Sequence, residues 1–173
     1  MNETEIRYAG TANDSIVDGP GLRYVIFTQG CPHKCPGCHN PQTHDFNGGK
    51  TAGLSFFLEK IRKNPLLDGV TFSGGEPFCQ AKALAALARE LKDTDLNIVT
   101  YTGYTFEYLT RNADENNGFM ELLECTDLLI DGPFIQEQRS IEIRFRGSRN
   151  QRLIDCKKSL ENGCVTEFDE EKF

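Results

Sequence analysis

Three cysteines fall within eight positions, Cys31-Pro32-His33-Lys34-Cys35-Pro36-Gly37-Cys38, three residues separating the first pair and two the second. Pro32 and Pro36 disfavour a regular helix and Gly37 admits unusual backbone angles, so the stretch reads as a loop able to wrap around an object. Thiolates suit soft metal centres, and iron–sulfur clusters are commonly held by four of them. Here only three are close. In a four-iron cluster, one iron would then lack a protein thiolate and stand open to an exogenous ligand, by the logic that separates catalytic from structural zinc sites. The same residues permit a structural zinc site with His33 or His39 as fourth ligand, in a non-catalytic interaction module. Cys79 or Cys125 could also supply a fourth thiolate, although each lies where a half-buried structural cysteine is the ordinary reading. A simple electron carrier would normally bring all four ligands itself.

A second constellation is Ser73-Gly74-Gly75-Glu76-Pro77. Without side chains, Gly74 and Gly75 let backbone approach a ligand's amino group, and Glu76 adds an acceptor for a cationic ammonium. Standing alone, the same residues would read as a tight strand-to-helix turn with Pro77 at the first helical position.

The elements that must position these residues alternate along the chain. Arg23-Tyr24-Val25-Ile26-Phe27-Thr28 reads as a buried strand, and the cysteine loop follows it at once. Leu54, Phe57, Leu58 and Ile61 share one helical face, and the pattern stops at Asn64-Pro65 because a residue before proline is pushed out of the helical region. Val70-Thr71-Phe72 reads as a second strand. After Gly-Gly-Glu-Pro comes a helix with Leu84, Leu87, Ala88 and Leu91 in one stripe. A third strand spans Leu96 to Tyr101, short helices surround Phe106–Leu109 and Met120–Leu123, and a fourth strand, Leu128-Leu129-Ile130, closes at Asp131-Gly132-Pro133. This rhythm implies an α/β fold with a mainly parallel sheet and right-handed crossovers, too few units to close an eight-stranded barrel. An open, partial (β/α) barrel is expected. The cysteine loop, Ser73–Glu76, Thr102-Gly103 and Asp131-Gly132 all fall at the carboxyl ends of strands, where such sheets bind ligands.

The 173 residues are about one domain long, 38% hydrophobic and 26% charged, enough to bury a core. The longest purely apolar run, Ala83 to Ala88, is far short of the roughly 18 residues of a membrane span, and the polar start Met1-Asn2-Glu3-Thr4-Glu5 does not read as a signal peptide. A cytoplasmic protein is expected. Net charge −7 argues against nucleic acid as the main partner. Seven cysteines, an odd number, are expected to be thiols rather than bridges.

A three-cysteine loop of this spacing after a first strand, with Gly-Gly-Glu-Pro after a second, resembles the radical S-adenosylmethionine enzymes. Within them, Asp18-Gly19-Pro20-Gly21-Leu22-Arg23 and Gly37-Cys38-His39-Asn40-Pro41 resemble the activases of glycyl radical enzymes. Tyr101-Thr102-Gly103-Tyr104, Leu129-Ile130-Asp131-Gly132-Pro133-Phe134 and Phe145-Arg146-Gly147-Ser148-Arg149-Asn150-Gln151 are similar to those activases that serve anaerobic ribonucleotide reductases. The resemblance runs from about residue 14 to residue 154 and implies the rest. Cys31, Cys35 and Cys38 would hold a 4Fe-4S cluster whose fourth iron chelates S-adenosylmethionine, and one electron would cleave its sulfonium to methionine and a 5′-deoxyadenosyl radical. That radical would take a hydrogen from a glycine of the partner, the large component of anaerobic ribonucleoside-triphosphate reductase. Reduced flavodoxin or a similar protein would supply the electron. Ser73, Gly74, Gly75 and Glu76 would bind the cofactor, with Gly37, Cys38 and His39 near its adenine. Larger activases of the pyruvate formate-lyase type carry Asp-x-Lys where this chain has Asp131-Gly132-Pro133; Asp131 is therefore either a cofactor contact or the cap of a turn.

From Arg139 to Arg152 there are five arginines and one acidic residue. Ile141, Ile143 and Phe145 alternate with Glu142, Arg144 and Arg146, which predicts a strand with one buried and one charged face. That face could dock the partner reductase or cofactor carboxylates. The whole chain, 1–173, reads as a single domain with its core at about 14–154, followed by an acidic tail at 155–173 whose stretch from Glu161 is expected to be mobile.

Overall fold

The structure, a computed structural model, describes residues 3–172; Met1 and Asn2 of the polar start and Phe173 of the acidic tail lie outside the described residues. In chain order the elements are β1 (Glu5–Ser15), β2 (Arg23–Thr28), β3 (Lys50–Gly53), α1 (Leu54–Arg62), β4 (Gly69–Gly74), α2 (Ala81–Glu90), β5 (Asn97–Tyr101), α3 (Phe106–Asn112), α4 (Phe119–Cys125), β6 (Leu128–Asp131), β7 (Arg152–Asp155) and α5 (Cys156–Asn162). The strands form one open sheet in the order β3-β1-β2-β4-β5-β6-β7. Its centre, β2-β4-β5-β6, is parallel. The flanks are antiparallel: β1 pairs with β2 and β3, and β7 with β6.

Side-chain alternation divides this sheet into two faces. Tyr24, Ile26, Val70, Phe72 and Ile98 point to the helices, where they pack against Phe57 and Ile61 of α1 and Leu84 and Leu87 of α2. The opposite face carries a smaller cluster, Val99, Leu128, Ile130 and Leu153. Because crossovers cover one face and the other is also enclosed, β2 and β4 are buried along most of their length rather than in alternation. α1 ends at Arg62, three residues before Pro65 would break it. Among the described residues no helix is long and apolar enough to cross a membrane.

Two expectations are corrected. Residues 139–147 form no strand. Arg139 and Ser148 make an isolated antiparallel bridge, and Ser140 N donates to Gly147 O at 3.3 Å and Arg149 N to Gln138 O at 2.9 Å, so the chain runs out and back as a closed loop. The edge of β6 is already taken by β7, which leaves the alternating segment without a partner strand. Ile141 is accordingly 90% exposed, while Phe145, turned by a φ of 64°, packs on the smaller cluster.

The acidic tail is also tied down. Asp155 N donates to Thr166 O and Phe168 N to Leu153 O, both at 2.9 Å, with Ile154 bridging Glu167. Val165 packs on the main core and Phe168 on the smaller one. These two apolar side chains outweigh the acidic composition around them, because burying each removes apolar surface from water while the carboxylates stay solvated.

Candidate functional site

The cysteine loop leaves the carboxyl end of β2 and is closed at its base by backbone. Gly30 N donates to Thr43 O at 2.7 Å and Cys31 N to His44 O at 3.2 Å. Buried Gln29 reinforces the closure, its amide donating to Gln42 O (3.1 Å) and Asp45 O (2.7 Å). Between these clamps Cys31, Cys35 and Cys38 are half-buried free thiols. All three line one cavity of about 680 Å³, shared with Ser73, Gly74, Gly75 and His39. Burial pushes the Cys31 thiol above its ordinary 9.0, so metal uptake there must displace a proton. Cys38 Sγ accepts from Asn40 N at 3.4 Å and lies 3.3 Å from His44 Nε2. Such contacts to a ligating sulfur tune iron–sulfur centres.

Gly74 and Gly75 line the cavity, and the protein itself occupies the space a side chain would need at each. Gly74 has a φ of +90°, and a Cβ there would sit 2.5 Å from Thr28 N. At Gly75 it would sit 2.4 Å from Gly30 O and 3.0 Å from Thr43 O. The two glycines thus let the β4 loop lie flat on the base of the cysteine loop. Gly75 N donates to Thr28 O and Glu76 N to Gly30 O, each at 2.8 Å.

The Glu76 side chain is turned into the protein. It is fully buried and absent from the cavity lining, because its carboxylate accepts from His33 Nε2 (2.8 Å), Thr102 Oγ1, Gly103 N (3.0 Å) and Phe78 N (3.3 Å). Asp131 is likewise buried and turned away from the cavity. It accepts from Phe106 N at 2.8 Å, at the start of α3, and from both Arg152 Nε (3.0 Å) and Nη2 (2.6 Å). These bonds, with those to Glu107, raise the Arg152 pKa. Asp131 is a cap and an ion-pair partner here. Gly37 stands at a φ of +75° beside Gln136, and the ring of His39 lies against Phe134, centroids 5.1 Å apart.

The 139–147 loop lines the same cavity, including Arg139, Arg144 and Arg146. Tyr101 Oη donates to Phe145 O at 2.6 Å and holds that loop to β5. Ile16, Val17 and Asp18 also line the cavity, and Asp18 O accepts from Thr71 Oγ1 at 2.8 Å; Thr71 Oγ1 in turn accepts from buried Arg23 (2.6 Å), which also donates to Pro20 O (2.7 Å), Val70 O (3.0 Å) and Asn97 O (3.1 Å). Burial pulls its guanidinium from 12.5 down to about 10.

The donor set fits an iron–sulfur cluster. Sulfurs around one zinc ion stand only about 3.8 Å apart, given a Zn–S bond near 2.3 Å and tetrahedral angles. Among the described residues no three His, Cys, Asp or Glu converge as a single ion requires, while three half-buried thiols on one cavity are the donors that iron–sulfur clusters take. The cavity volume lies in the range of sites for cofactor-sized ligands. Of the other candidate ligands, His33 commits Nε2 to Glu76, and Cys79 and Cys125 lie off the cavity wall. His44 and Gln29 were not picked out by sequence reasoning, since neither belongs to a spaced motif. The leading Cys38–His44 separation of six residues carries no signal of its own.

An iron–sulfur protein is the class this site defines, and residues 17–154 match the family described as a 4Fe-4S single cluster domain. Two relatives are anaerobic ribonucleoside-triphosphate reductase-activating proteins. The one from Vibrio cholerae is 32% identical over 79% of this chain and 89% of its own length, and the one from Escherichia coli K12 is 31% identical over 79% and 90%. A pyruvate formate-lyase-activating enzyme from Clostridium pasteurianum is 34% identical over 85% of this chain, but this chain covers only 60% of that relative. Among solved structures, QueE from Escherichia coli overlaps 58% of this chain and 53% of its own, with 19% identity and a TM-score of 0.45. The chain belongs to the 4Fe-4S single cluster domain family and, within it, to the radical S-adenosylmethionine activating proteins of glycyl radical enzymes.

Proposed function

We propose that this chain activates anaerobic ribonucleoside-triphosphate reductase by generating a glycyl radical on its large component. The observation that carries the reading is that Cys31, Cys35, Cys38, Ser73, Gly74 and Gly75 line one cavity at the carboxyl ends of β2 and β4. Cys31, Cys35 and Cys38 hold the cluster and leave one iron for S-adenosylmethionine. When bound, the cluster supplies the single electron that cleaves the sulfonium to methionine and a 5′-deoxyadenosyl radical. Ser73, Gly74 and Gly75 border the methionine end, and His39, with Phe134 against its ring, borders the adenine, while Gly37, off the cavity lining, shapes the turn that presents Cys38 and His39. The arginines of the 139–147 loop attract the cofactor carboxylate or acidic groups of the partner, and the loop itself shields the cavity from water.

Residues 1–173 act as one domain, in the cytoplasm, where free thiols persist. A reduced flavodoxin or similar carrier donates the electron. The test is to reconstitute the protein anaerobically with iron and sulfide, reduce it, add S-adenosylmethionine and incubate it separately with anaerobic ribonucleotide reductase and with pyruvate formate-lyase. A glycyl radical signal on the reductase alone is the expected result. A signal only on the lyase would reassign the partner, and colourless zinc-loaded protein without 5′-deoxyadenosine would end the reading.

A further inference from the structure

Among the described residues, the stretch between Cys31 and Cys38 makes one hydrogen bond to the rest of the protein, His33 Nε2 to Glu76 Oε1 at 2.8 Å. Its base is clamped by backbone and Cys38 Sγ is met by His44 Nε2 at 3.3 Å, so between those ends this contact is the hydrogen bond that ties the arm to the sheet. Glu76 is built to hold it. The carboxylate is fully buried, which is tolerable only when donors surround it, and Thr102 Oγ1, Gly103 N and Phe78 N occupy its remaining lone pairs. The His33 ring also meets Tyr104 edge-on, centroids 4.5 Å apart. Gly103 makes room for it, since a Cβ there would lie 2.5 Å from His33 Cδ2. Two segments distant in sequence, at Glu76 and at Gly103-Tyr104, therefore converge on one imidazole placed between two of the three cysteines.

We propose that His33 and Glu76 form a latch that positions the cysteine loop, so that the glutamate of Gly-Gly-Glu-Pro acts on the cluster through His33 and does not receive the cofactor's ammonium. This deepens the functional reading above and rests on it for the identity of the cluster. Both are positioning residues. To bind an ammonium in the cavity, Glu76 would have to abandon His33, Thr102 and Gly103 and turn toward a wall it does not reach.

The latch is tested first on the metal-free chain, by anaerobic alkylation of Cys31, Cys35 and Cys38 with iodoacetamide, read by mass spectrometry. His33→Ala and Gly103→Ala should each speed alkylation about tenfold or more, the scale of one charge-assisted hydrogen bond. His33→Gln, whose amide can still donate to Glu76, should return the rate to near that of the wild type. Gly103→Ala combined with His33→Ala should be no faster than His33→Ala, because the clash goes with the ring. Unchanged alkylation in folded His33→Ala would overturn the proposal. In reconstituted protein, His33→Ala and Glu76→Gln should shift cluster retention against an iron chelator in the same direction, and the double variant should be no worse than the more severe single one. If instead Glu76→Gln weakened S-adenosylmethionine binding tenfold while His33→Ala left it unchanged, Glu76 would be a ligand and the latch would be refuted. Because the alkylation comparison needs no cluster, it decides the latch even if the wild type failed to cleave S-adenosylmethionine, a failure that would count against the functional reading alone.

Discussion

Replacing Gly75 by alanine separates two reasons for a glycine at this position. Its φ lies outside the left-handed region, so alanine is compatible with the backbone, and the reduced freedom of the unfolded chain would by itself stabilise by about 0.4–1 kcal/mol. The obstacle is the contact: the new methyl would meet Gly30 O at 2.4 Å and Thr43 O at 3.0 Å. Restoring an ordinary contact requires the β4 loop and the base of the cysteine loop to part by roughly 1 Å, on the scale of overpacking strain of about 1–3 kcal/mol. That movement stretches the Glu76 N to Gly30 O and Gly75 N to Thr28 O bonds, now 2.8 Å each, at a net cost of about 0.5–1.5 kcal/mol for each one lost. The balance is a destabilisation of about 2–4 kcal/mol. Urea unfolding of the metal-free protein should show it as a midpoint lowered by about 1–2 M with an unchanged slope, taking the slope as about 2 kcal/mol per M. A metal-free midpoint equal to the wild type, with the defect confined to S-adenosylmethionine affinity, would refute the reasoning and return Gly75 to a ligand-approach role.

Arg152→Ala strips the buried Asp131 carboxylate of two donors and should cost about 2–3 kcal/mol in the same assay, whereas Glu107→Ala, at the exposed end of the network, should cost no more than about 1 kcal/mol. The hydrogen bond from Arg152 holds the Glu107 carboxyl below its ordinary 4.5. Its contribution is therefore full above pH 4.5 and fades as the pH falls through the depressed value, so the acid limb of the stability profile should be shallower in Arg152→Ala. Tyr101→Phe removes the bond to Phe145 O and should increase tryptic cleavage at Arg144 and Arg146 several-fold with little change in overall stability; unchanged cleavage would show that the loop is held elsewhere. Charge reversal at Arg144 and Arg146 should reduce partner activation at low salt, and activation equal to the wild type would remove the docking role of the loop.

What could be read from sequence was what is local. β2 and β4 announce themselves as short apolar runs because both their faces are enclosed, and α1 and α2 because they hide one stripe and solvate the other. β1, β3 and β7 escaped notice because flanking antiparallel strands mix polar and apolar residues, as in Glu5–Ser15 with its two register shifts. Ile141, Ile143 and Phe145 misled for the converse reason, since period-two alternation makes a strand only where a free edge exists to pair with. At the site, the closeness of Cys31, Cys35 and Cys38 was legible from spacing, and the three line one cavity, but spacing left zinc and an iron–sulfur cluster both open. The surroundings of Glu76 were not, because His33 and Thr102 lie 43 and 26 residues away and meet it only when the ends of β2, β4 and β5 are brought side by side.

The account stands or falls on an iron left open by three cysteines. The most direct measurement is the electron paramagnetic resonance spectrum of the reduced, reconstituted protein before and after S-adenosylmethionine is added, with Cys35→Ala alongside. The account predicts a cluster signal that changes on addition of the cofactor in the wild type, and no comparable four-iron signal in the variant. Superimposable spectra from a fully loaded wild type, or an intact four-iron cluster in Cys35→Ala, would contradict it.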